Sequence, residues 1–207
     1  MQLPFFTIGH STRTIDDFAA LLEPAGVTLV ADIRKVPRSR TNPQYNADVL
    51  AGNLALWGIS YVRIEALGGL RGHSRTIPPE RNGFWRNTSF HNYADYALSE
   101  AFGSGLAQLL AMGREQRTAI MCAEAVWWRC HRRIVADYLL ARGERVFHLI
   151  EAGKLHTASL TPGAMVNVTS GQVTYPDASK AVSNLKEPDT GFKARVRKPT
   201  TRTAGES

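Results

Sequence analysis

The sequence predicts an α/β fold: a mainly parallel sheet flanked by helices, in a single compact domain with an irregular basic C-terminal tail. Two observations carry this. Apolar runs of strand length alternate with amphipathic stretches of helix length, and strands that alternate with helices pair mainly in parallel. The chain has 207 residues, enough to bury one core without disulfides or metal.

Each element has its own signal. Leu3-Pro4-Phe5-Phe6-Thr7-Ile8 reads as a first strand, closed by Gly9-His10-Ser11. Thr14, with Asp17 three residues on, has the form of a capping box for a helix through Phe18, Leu21 and Leu22, which Pro24 and Gly26 end. Residues 28–33 form a second strand. Asn46 is placed to cap a helix through Val49, Leu50, Leu54 and Trp57, with Trp57 in the core and Gly58 as the stop. Residues 59–64 form a third strand. A loop from about Leu67 to Phe90, rich in Gly, Arg, Pro and Asn, is long enough to be functional or disordered. A helical region from Tyr93 through Leu110 follows, with a break expected near Gly103-Ser104-Gly105. Thr118-Ala119-Ile120-Met121 is a fourth strand ending at Cys122, a helix is expected over 130–141, and residues 145–150 form a last strand. Beyond about Leu160 the apolar periodicity fades. The expected division is an α/β domain over 1–160 and an irregular, partly disordered basic tail over 161–207.

Charge and cysteine content bound the function. The formal net charge is +7. That balance favours a polyanionic partner, nucleic acid above all and DNA before RNA. No apolar run approaches membrane-spanning length and no secretory leader pattern opens the chain, so a membrane partner is not expected. The two cysteines, Cys122 and Cys130, fit free thiols in a reducing cytoplasm. No cofactor is expected. A metal site from Cys122, Cys130 and His131 is disfavoured, because the spacing matches no common zinc pattern and adjacent side chains diverge on a helix.

Placed on a parallel sheet, the strand ends bring polar residues to one edge. The first strand delivers Gly9, His10 and Ser11, the second Asp32 and Arg34, the third Glu65 with Gly68 and Gly69, and the fourth Cys122 and Glu124. That edge is the ligand crevice of open α/β proteins. Arg34, Lys35, Arg38 and Arg40 form a basic loop that Pro37 keeps from being helical, suited to clamping phosphate. The long loop interleaves Arg71, Arg75, Arg81 and Arg86 with His73, Phe84 and Trp85, a pattern that suits a backbone-tracking groove with stacking platforms.

The set Thr7-Ile8-Gly9-His10-Ser11, Val30-Ala31-Asp32-Ile33-Arg34 with Pro37-Arg38-Ser39-Arg40 and Asn42-Pro43, Leu67-Gly68-Gly69, Met121-Cys122-Ala123-Glu124 and Cys130-His131-Arg132 resembles the family called domain of unknown function 488. The likeness runs from about Phe5 to about Leu160. It implies a compact cytoplasmic α/β domain and leaves the chemistry open. This chain departs from the family pattern between Glu124 and Cys130, where a polar, proline-bearing segment gives way to Ala125-Val126-Trp127-Trp128-Arg129.

Three function classes follow. The first is an enzyme acting on nucleic acid, specifically a hydrolase of the N-glycosidic bond of a flipped base. Phe84, Trp85, Trp127 and Trp128 would hold the base, and Asp32 or Glu124 would stabilise the sugar cation or activate water. His10, Arg34 or His131 would stabilise the leaving base, with Ser11, Arg38, Arg40 and Arg132 binding the substrate. The second is thiol chemistry at Cys122, which ends a strand as a rhodanese-like or phosphatase-like nucleophile does. Against it stand a following loop without glycine and the charge of Glu124. The third is a non-catalytic nucleic-acid-binding module, in which the acids only orient arginines.

Overall fold

The structure, a computed structural model, describes residues 2–177. The cations of the expected tail, Lys180 to Arg202, lie outside the described residues. Six strands form one sheet in the order β3-β2-β4-β1-β5-β6. They are β1 (Phe5–Gly9), β2 (Leu29–Asp32), β3 (Ser60–Arg63), β4 (Thr118–Cys122), β5 (Val146–Leu149) and β6 (Leu155–Thr157). The first five run parallel, and β6 pairs antiparallel with β5. The mainly parallel α/β expectation holds.

The helices are α1 (Ile15–Leu22), α2 (Ala47–Ala55), α3 (Thr88–Tyr96), α4 (Glu100–Glu115) and α5 (Arg132–Leu140). Side-chain alternation along the strands makes two cores. Phe6, Ile8, Val30, Ala119 and Met121 pack with Phe18, Leu22, Leu50 and Leu54 of α1 and α2. Phe5, Ala31, Ile33, Ile120 and Cys122 pack with Phe102, Leu106, Ile134 and Tyr138 of α4 and α5. Connections therefore cross from one face to the other after β3. Adjacent β2 and β4 send their chains to opposite faces, and a crevice opens at such a switch.

Local signals explain most boundaries. The Thr14 hydroxyl accepts the Asp17 amide at 3.1 Å and donates to the Asp17 carboxylate at 2.8 Å, so the expected cap forms. Asn46 opens α2 without capping it, because its Oδ1 accepts the Ser39 amide at 2.7 Å instead. The expected break at Gly103–Gly105 is wrong. The chain turns at residues 97–99, where Ser99 caps α4 through the Phe102 amide at 3.3 Å. Gly105 serves contact: a Cβ there would sit 2.8 Å from the Ala66 Cβ. Trp57 is also misplaced by the sequence. It falls beyond the end of α2 and is 41% exposed.

The pattern beyond Leu160 understates the order there. β7 (Met165–Val166) and β8 (Val173–Thr174) form an antiparallel hairpin, and Val173 and Tyr175 are wholly buried in the α4–α5 core. Tyr175 donates to the Asp137 carboxylate at 2.8 Å. Two large apolar groups in a polar segment suffice to dock it, and periodicity over so short a run cannot reveal that.

Candidate functional site

The crevice is built from backbone first. The ladder between β1 and β4 continues past both strands: His10 N–H donates to the Cys122 carbonyl and Ser11 N–H to the Ala123 carbonyl, each at 2.9 Å. The loop after Cys122 thereby folds over the end of β1. Gly9 permits this, since a Cβ there would lie 1.8 Å from the Glu124 carbonyl oxygen. Ser11 takes the left-handed conformation, φ 51°, to leave the strand.

Asp32, fully buried, is held by five hydrogen bonds. Oδ1 accepts the Arg34 amide and Nε, both at 2.9 Å. Oδ2 accepts Arg34 Nε at 3.1 Å, Arg34 Nη2 at 2.6 Å and the Tyr61 hydroxyl at 2.8 Å. Arg34 Nη2 also donates to the Tyr45 carbonyl at 2.7 Å, and Nη1 meets His10 Nε2 at 3.3 Å. The His10 ring stacks on Tyr45 with centroids 4.1 Å apart. Burial lowers the His10 pKa to about 4, and the Arg34 charge adds to the effect. His10 is thus neutral, donating from Nδ1 to the Ser11 carbonyl at 2.8 Å and accepting Arg34 at Nε2. Asp32 and His10 share the edge with Glu124, but they point to the α1–α2 side, and neither lines the cavity. They fix a guanidinium that does: Arg34.

The cavity, about 350 Å³, opens on the other face at the β2–β4 switch. Cys122, Glu124, Arg129, Cys130 and His131 line it from the β4 side, Arg34 and Lys35 from the β2 side, and Leu70, Phe90 and Tyr93 complete its wall. Glu124 and Arg129 are exposed at its lip. Leu70 holds φ 54° and is 80% exposed.

Arg132 lies behind the cavity, 1% exposed. Its Nη1 donates to Cys122 Sγ at 2.7 Å and to the Glu124 carbonyl at 2.6 Å, and Nη2 donates to the Ala125 carbonyl at 2.9 Å. Among the described residues no carboxylate pairs with it. Burial pushes the Cys122 thiol up, but a hydrogen bond from Cys130 and the Arg132 charge outweigh it, and the thiol falls below its ordinary value. Burial and the neighbouring Cys122 push the Cys130 thiol well up.

His131 Nε2 lies 2.9 Å from the Ile33 carbonyl, so Nε2 carries the proton. Burial and then the Arg132 charge lower its pKa to about 4. The bare Nδ1 faces Cys130 Sγ at 3.6 Å. The sequence argument that Cys130 and His131 diverge fails because α5 begins at Arg132, and Cys130 has extended backbone.

The remaining expected contacts fall elsewhere. Trp85 is 8% exposed and stacks on Phe90 at 4.8 Å, inside the core. Trp127 stacks on His148 at 4.3 Å and 8°, and Trp128 packs edge-on against it. None of the three lines the cavity, so none presents a free stacking platform there. Arg132 is too buried to bind substrate directly. Ser11 leaves β1 outside the cavity, and Arg38 and Arg40 are exposed beyond its rim.

Sequence reading missed Tyr61 and Tyr45, which hold the Asp32–Arg34 pair, and Phe90 and Tyr93 of the lining. It missed above all the Arg132–Cys122 contact. The adjacency of Cys130-His131-Arg132 held the signal, because three adjacent residues leaving a turn can project in different directions. Searches of curated proteins and of solved structures find no match. Residues 14–139 match the family model described as "Domain of unknown function DUF488", a span that includes Asp32, Arg34, Cys122, Glu124 and Cys130-His131-Arg132. The chain is a member of the DUF488 family.

Proposed function

We propose that this chain is a thiol-dependent enzyme whose nucleophile is Cys122. One observation carries the reading: a buried guanidinium, Arg132, has a cysteine sulfur at 2.7 Å and no carboxylate partner among the described residues. A buried charge needs a counter-charge, and the Cys122 thiolate is the group in contact that can supply one. Thiolates are the reactive form of cysteine, and a neighbouring cation is what favours them. Arg34, Lys35 and Arg129 on the cavity wall and rim suit an anionic group, while Leu70, Phe90 and Tyr93 suit an apolar body. The substrate class is therefore a small anion carrying an electrophilic centre. The objection from Glu124 weakens, because its carboxylate is exposed to water whereas its backbone carbonyl is what meets Arg132.

The test is alkylation of the intact protein by iodoacetamide across pH, with the modified residue mapped by mass spectrometry. Cys122 should react well below the pH at which a free thiol does, and Cys122→Ser should remove that reaction. A Cys122 that stays inert until pH 8 or above, about the value of an ordinary thiol, overturns the reading.

The glycosidic reading keeps one supporting feature: Glu124 lines a cavity with cationic walls. Incubation with modified and unmodified DNA and RNA, followed by assay for abasic sites and released bases, tests it. Loss of such activity in Glu124→Gln with Cys122→Ser still active would favour a carboxylate enzyme on nucleic acid over a thiol enzyme.

A further inference from the structure

The thiolate reading leaves a second thiol in the same cavity unused. Cys130 is buried and lines the same cavity as Cys122, and both sulfurs meet Arg132. Its own Sγ accepts the Arg132 amide at 3.5 Å and faces the bare Nδ1 of His131 at 3.6 Å. His131 is fixed there from both sides: Nε2 is tied to the Ile33 carbonyl, and the Gly69 backbone packs so close that a Cβ would lie 2.8 Å from Nδ1. A purely structural cysteine pair needs neither a poised imidazole nor an opening to solvent.

We propose that Cys122, Cys130 and His131 form a redox site in which Cys122 is oxidised by a hydroperoxide and Cys130 resolves the product as an intramolecular disulfide. This rests on the thiolate reading and names its reaction class. The Cys122 thiolate attacks the outer oxygen of the peroxide. An S–O bond forms, the O–O bond breaks, and the alkoxide leaves with the electron pair and takes a proton from water. Cys130 then attacks the sulfenic sulfur. Its proton shifts onto His131 Nδ1 only as the S–S bond forms and passes on to the departing oxygen, which leaves as water. Two thiols are oxidised by two electrons, and one peroxide is reduced to an alcohol and water. The unequal acidities of the two thiols fit this order, with attack by Cys122 first and resolution by Cys130 second.

The experiment uses the reduced full chain and hydrogen peroxide at equimolar concentration. Wild type should lose the mass of two hydrogens, lose both maleimide-reactive thiols together, and yield a Cys122–Cys130 linked peptide. Cys130→Ser should instead accumulate a sulfenic acid on Cys122, captured by dimedone. His131→Asn should slow disulfide closure on the order of a hundredfold, the typical contribution of a positioned base, and alter its pH profile. Wild-type protein in which Cys122 goes on to sulfinic acid while Cys130 remains free overturns the proposal, and this needs no variant to fold. In that case rapid alkylation of Cys122 near neutral pH still sustains the thiolate reading. Failure of that alkylation removes both.

Discussion

Acid should destabilise this protein as pH falls below neutral, because buried histidines are held neutral. His10 and His148 are each 3% exposed, and burial sets both pKa values at about 4 against an ordinary 6.5. His131 is lowered to the same value. These folded-state values lie below the unfolded one, so the unfolded chain takes up protons first as pH falls. The stabilising contribution is complete above about pH 6.5 and is lost as pH falls towards 4. Between pH 7 and 5 linkage gives a loss of about 2 kcal/mol per histidine, hence roughly 4 from His10 and His148 together and more with His131. That is a large share of the roughly 5–15 kcal/mol that stabilises an ordinary domain. Urea unfolding at pH 7, 6 and 5 measures it. The midpoint should fall steeply across this window, and His148→Gln should flatten its share of the slope. Protonation of His10 in the folded protein also sets a cation against Arg34 Nη1, 3.3 Å away, so cavity function should decline only as pH approaches 4. A midpoint that does not move between pH 7 and 5 refutes the reasoning, since neutral buried imidazoles cannot be indifferent to protonation.

Further outcomes follow from single contacts. Asp32→Asn leaves the buried Arg34 guanidinium without its counter-charge and should cost about 3–5 kcal/mol in urea unfolding, whereas Glu124→Gln should stay within about 0.5 kcal/mol of wild type. A loss of stability in Glu124→Gln alone would contradict this division of roles. Gly9→Ala should force the 123–126 loop off β1, lower the melting temperature and slow Cys122 alkylation, and an unaffected alkylation rate would show that the loop does not shape the site. If the 34–40 loop meets phosphate, Arg38→Ala with Arg40→Ala should reduce the log–log salt slope of nucleic-acid binding by about two; an unchanged slope removes that loop from any such contact.

The strand and helix order, the parallel sheet and the shared edge of His10, Asp32 and Glu124 were legible in the chain, because periods of 2 and 3.6 are written locally. So was the Thr14 cap, a matter of three residues. The wrong helix break shows the limit of local reading. Gly103 and Gly105 look like breakers in sequence, yet Gly105 lets Ala66 touch α4, a contact between segments far apart in the chain. Which residues at the edge meet one another was hidden for the same reason. Alternation turned Asp32 and His10 to one face of the sheet and Cys122 to the other, so residues that end neighbouring strands serve different chambers.

Chain order alone determined that acids, cations, thiols and imidazoles would gather at the carboxyl ends of β1, β2 and β4, because parallel strands must end together. Only the tertiary structure decided their partners. It spent Asp32 on Arg34, put Trp85 in the core and Trp127 on His148, and left Arg132 with Cys122 in place of a carboxylate. Partner choice depends on distances of a few ångströms between segments far apart in sequence, and on which buried charges find compensation; neither is encoded in any local pattern of residues.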